Sequence, residues 1–60
     1  MSEPDWSKLK ALGAEIETLR QRGEWNKDAF DRVIGEAREA VNGHEDFLEF
    51  VVNEAEQAWL

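Results

Sequence analysis

Sixty residues, 42% hydrophobic and 35% charged, with three Trp and three Phe, describe one folded domain rather than a disordered segment. With no Cys and one His, disulfides are excluded and a zinc staple is poorly supported, so a domain this small must rely on helix packing, its aromatics or oligomerisation. A formal net charge of −7 and a pI near 4.5 repel nucleic acid and anionic lipid and favour a basic protein partner.

The charge is unevenly placed. Residues 1–38 set eight acids against seven bases, whereas from Glu39 onward there are six carboxylates (Glu39, Glu45, Asp46, Glu49, Glu54, Glu56) and no Lys or Arg. There is no apolar run of about 18 residues and no basic-then-apolar leader, so neither a membrane span nor export is expected and the cytoplasm is the expected compartment.

Three helices are predicted, each with explicit punctuation. The first is expected over about residues 3–22, with Ser2 as N-cap, Asp5 as the reciprocal half of a capping box and Pro4 in the first turn. Its apolar stripe is Trp6, Leu9, Leu12, Ile16 and Leu19, and Arg20 and Arg22 precede a terminating Gly23. The second is expected over about 27–42. Asn26 is its N-cap, Trp25 and Phe30 form a hydrophobic staple, and Phe30, Val33, Ile34, Ala37 and Val41 make the buried stripe. Asn42-Gly43 stops it with residue types that tolerate a left-handed backbone.

The third helix is expected over about 45–60. Leu48, Val51, Val52, Ala55 and Trp59 form its stripe, Phe50 and Leu60 lie off it, and Glu45 and Asp46 sit favourably at its positive end. Linkers this short favour antiparallel neighbours, so the expected fold is all-α: a small up-down-up three-helix bundle with the first and third helices parallel. Trp6, Ile16, Ile34, Val51 and Ala55 are expected in its core, with Leu9, Leu12, Phe30 and Leu48 packed around them.

The chemistry-bearing constellations are weak. His44, Glu45, Asp46 and Glu49 cluster, but the residue three before His44 is Val41 and the residue four after it is Leu48, which breaks both the dinuclear Glu-x-x-His and the zinc-protease spacings. Ser2 and Ser7 lie far in sequence from His44, so no nucleophile–base pair is legible. No enzyme, metal or cofactor is therefore expected. The turn between the second and third helices has the shape of a helix-turn-helix, but the following helix offers five carboxylates and no base to phosphates.

Two glycines stand inside helices at a cost of about 1 kcal/mol each relative to Ala. Gly13 falls on the apolar face, which predicts a close neighbour such as Trp59 or Phe47. Gly35 falls on the polar face, where internal packing gives no reason for it.

These features make a non-catalytic protein–protein interaction module the leading expectation. It would dock on a basic partner surface through the third helix, with Phe50 as apolar anchor, Glu45, Glu49 and Glu56 facing basic residues, and Trp25 in its linker as a further contact. A structural homo-oligomer, such as a homodimer whose acidic face confers only solubility, is the alternative. A nucleic-acid-mimicking inhibitor of a DNA-binding protein ranks third, because seven bases interrupt a phosphate-like surface.

Overall fold

A computed structural model describes residues 3–59, which form three helices: α1 (Trp6–Arg22), α2 (Lys27–Ala40) and α3 (Glu45–Gln57). They make a small three-helix bundle. α1 and α3 run parallel, since Trp6 and Phe47 meet at their starts (ring centroids 4.8 Å apart) while Ile16, Glu17 and Arg20 line one hollow with Glu54, Gln57 and Ala58 near their ends.

The start of α1 departs from expectation. Asp5, with φ −81° and ψ 87°, is the N-cap, and its carboxylate accepts from the Lys8 N–H at 3.1 Å. Ser2 lies outside the described residues. Pro4 disfavours helix at Glu3, so the chain enters extended. Residues 3–5 then lie across the end of α2: the Asp5 N–H donates to the Ala40 carbonyl (2.7 Å), the Asn42 amide donates to the Glu3 carbonyl (2.7 Å), and Pro4 is buried.

Both turns follow the sequence signals. Gly23 adopts φ 70°, its N–H bonds to the Arg20 carbonyl and the Glu24 N–H bonds to that of Leu19, the paired bonds of a Schellman stop. α2 opens on Asn26, whose side chain accepts from the Ala29 N–H at 2.9 Å, and the Trp25–Phe30 staple forms with centroids 6.2 Å apart. α2 ends at Ala40, short of the expected residue 42, because Asn42 (φ 51°) and Gly43 (φ 90°) turn left-handed in succession. α3 likewise ends at Gln57. Leu60 lies outside the described residues.

The core is Leu12 and Ile16 of α1, Val33, Ile34, Ala37 and Val41 from α2 and its end, Leu48 and Ala55 of α3, and Trp25 from the first linker. Leu9, Phe30 and Val51 are partly buried against it, as is Phe47. Trp6 is not a core residue: it is 53% exposed, standing in the first turn of α1 with its ring edge-on to Phe47. The later start of α1 leaves no preceding turn to cover it. Ala40, absent from the predicted stripe, is buried at the place where residues 3–5 cross α2.

Gly13 also has a different neighbour from the aromatic ring expected. A Cβ there would meet the Glu54 carboxylate at 3.6 Å, ordinary contact rather than a close approach of backbones. Gly35 faces open space.

Candidate functional site on the outer face of α3

Five carboxylates (Glu45, Asp46, Glu49, Glu54, Glu56) lie along α3, and all are exposed. The Lys and Arg ion pairs among the described residues lie elsewhere, on α1 and α2. Arg32 joins Glu15 of α1 to Glu36 of its own helix, Lys8 reaches Glu36 across the same interface at 3.8 Å, and Glu17–Arg20 and Lys27–Asp31 pair within single helices. No described Lys or Arg comes within ion-pair distance of a carboxylate of α3.

The division is sharp in charge. Residues 6–40 hold seven acids (Glu15, Glu17, Glu24, Asp28, Asp31, Glu36, Glu39) and seven bases (Lys8, Lys10, Arg20, Arg22, Lys27, Arg32, Arg38), so the formal −7 lies on Glu3, Asp5 and α3. A charge-assisted bond from the Arg20 guanidinium holds the Glu17 carboxyl below its usual range and raises Arg20 in turn.

Phe50 stands in the middle of this anionic surface. It is 75% exposed, and its ring forms one wall of a shallow hollow completed by Asp46, Glu49 and Asn53. These four positions have the i, i+3, i+4, i+7 spacing that makes a diamond on a helix surface, the shape that receives a single side chain of a facing helix. A second diamond lies beside it, bounded by Glu45, Leu48, Glu49 and Val52 and edged by Asp46. Leu48 and Val52 give its floor apolar character, while Glu45 and Glu49 rim it.

α3 therefore brings together Phe50, Glu45 and Glu49 of the expected contact residues, with Glu56 farther along the exposed side of the helix. It also adds Asp46 and Asn53. Their spacing from Phe50, four before and three after, is a sequence signal, but that their side chains share a hollow with its ring does not follow from spacing alone.

Trp25 does not join them. It is 8% exposed, and its indole N–H donates to the Ala55 carbonyl at 2.9 Å, so it is a core residue and not a surface contact. The linker position that suggested exposure places the ring under the end of α3, where Phe30 and Trp59 also pack.

Among the described residues no three His, Asp or Glu side chains converge as a metal-binding group, and no helix is long and apolar enough to cross a membrane. Comparisons with protein-family models, curated protein sequences and solved structures returned no match.

Proposed function

We propose that this chain is a non-catalytic interaction module that docks the outer face of α3 on a basic protein surface. The observation that carries this reading is Phe50, a large apolar side chain 75% exposed among carboxylates that no described Lys or Arg pairs. One exposed Phe alone would be ordinary, and it is the hollow beside the ring and the carboxylates around it that favour a partner. Standing as the wall of one diamond-shaped hollow, with a second beside that hollow across Glu49, it can enter an apolar recess of a partner while Lys or Arg around that recess meet Glu45, Asp46, Glu49 and Glu56. Buried apolar area then holds the complex, and the charges steer its approach and reject acidic competitors.

The test uses Phe50→Ala as a matched bait. The parent chain is used to capture partners from its source cells, with Phe50→Ala and Trp6→Ala in parallel and helicity checked by circular dichroism. A specific partner bound through α3 should be retained by Trp6→Ala and lost from Phe50→Ala, with a weakening of at least about 2 kcal/mol, or about 30-fold in Kd. Retention by Phe50→Ala would remove the anchor and with it the reading.

A structural homo-oligomer is the second reading, and the half-exposed Trp6 beside Phe47 favours it. Two copies meeting through α3 would set acid against acid, so self-association would have to use the Trp6 end. Sedimentation at micromolar concentration, with Trp6→Ala as the control, separates the two readings.

A further inference from the structure

We propose that α3 is a releasable arm, which opens from the α1–α2 hairpin as a unit before the hairpin unfolds, and that the interlocked indoles of Trp25 and Trp59 are its catch. The inference concerns the mechanics of the fold and stands whether or not α3 is a docking face.

The polar ties of the bundle are unequally shared. Arg32 and Lys8 tie α1 to α2, and the extended residues 3–5 tie the N-terminal segment to the end of α2 through Ala40 and Asn42. None of these reaches α3. Its buried side chains are Leu48 and the small Ala55, the same number as α1 supplies, with Phe47, Val51 and Val52 partly buried beside them. Glu54 and Glu56 crowd its negative C-terminal end, and Glu45 and Glu49 repel each other one turn apart.

The end of α3 is held in a different way. The Trp59 N–H turns to the Glu56 carbonyl at 3.2 Å, and the Ala55 carbonyl instead receives the Trp25 indole N–H at 2.9 Å. Trp59 answers with its own indole, which donates to the Trp25 carbonyl at 3.3 Å, while its ring stacks on Phe30 with centroids 4.9 Å apart. Two reciprocal bonds thus join the end of α3 and the residues just after it to the α1–α2 linker, and the stack on Phe30 joins them to α2. At the other end lies the left-handed pair Asn42-Gly43, where the chain can swing by changing few torsions.

Amide hydrogen exchange on the full chain, under conditions where rates follow the opening equilibrium, tests the arm and the catch separately. In the parent, amides in the middle of α3 should exchange at least about tenfold faster than the slowest amides of α2. Gly35→Ala, which points into open space and improves α2 alone, should slow the slowest α2 amides by about fivefold and leave α3 unchanged, because α2 stays folded when the arm opens. Trp25→Phe, which keeps a ring and removes the donor, should speed α3 exchange by about tenfold, and the milder Trp59→Phe by about threefold.

Equal slowing of α2 and α3 in Gly35→Ala would show a single cooperative unit and overturn the arm. Unchanged α3 exchange in Trp59→Phe and in a folded Trp25→Phe would overturn the catch. If Trp25→Phe fails to fold, the Gly35→Ala and Trp59→Phe measurements still decide both parts.

Discussion

The α1–α2 hairpin and α3 are built by different means. The hairpin balances its charges, fastens its helices with ion pairs across the interface and supplies most of the core, from Leu12 and Ile16 to Val33, Ile34 and Ala37. α3 carries carboxylates without Lys or Arg and buries Leu48 and Ala55, yet displays Phe50, the most exposed large apolar side chain among the described residues. Exposed ion pairs are worth at most about 1 kcal/mol each, and α1 and α3 bury two side chains apiece against the four of α2, so the contrast lies in the placing of charge and of Phe50. A scaffold and an outward-facing element are thereby separated within one small bundle.

Substitutions on the two sides should separate them energetically. Leu12→Ala, at a position 3% exposed between the helices, should cost about 2–5 kcal/mol in chemical denaturation, much of the stability of so small a domain. A near-neutral midpoint would mean that the hairpin does not hold the core. Trp25→Phe should cost about 1–3 kcal/mol, since it leaves the Ala55 carbonyl without its donor.

Gly35→Ala should act in the opposite direction, raising stability by up to about 1 kcal/mol because its methyl group meets nothing. A loss of stability there would point to a contact of Gly35 with another molecule. Replacing Glu45, Glu49 and Glu56 with Gln should hold stability or raise it by a few tenths of a kcal/mol, about the repulsion of one pair spaced four apart.

The smallest effect concerns Glu17. Its carboxyl is held below the ordinary range in the folded chain, so its contribution is present above the unfolded carboxylate value and fades as pH falls through the folded one. Because the pair with Arg20 is exposed to solvent, Glu17→Gln should leave the neutral-pH midpoint unresolved from the parent and slightly flatten the acid limb of a pH–stability curve.

Much of the hairpin was legible because its signals are local. Asn26, the Trp25–Phe30 staple, Gly23 and Asn42-Gly43 act within a few residues of themselves, and each does what its residue type predicts. Contacts across the bundle were not legible. Asp5 is the cap of α1, and residues 3–5 lie on the end of α2, a contact made with Ala40 and Asn42 far along the chain.

The two Trp assignments failed for the same reason. Trp6 satisfied the helical stripe but falls in an uncovered first turn, whereas Trp25 looked like linker surface until the end of α3 closed over it. Helical spacing identified the wet side of α3. That Asp46 and Asn53 enclose Phe50 in a hollow required the three-dimensional surface.

The central claim is that the carboxylates of α3 work between molecules rather than within this one. Its most direct test is stopped-flow association of the captured partner with the parent and with the Glu45→Gln, Glu49→Gln, Glu56→Gln triple variant across a range of salt concentrations. If the charges steer docking, the triple variant should associate more slowly with a flatter salt dependence while its unfolding midpoint holds or rises. Identical association rates and salt slopes for the two proteins would contradict the account and leave the acidic face as solvated surface.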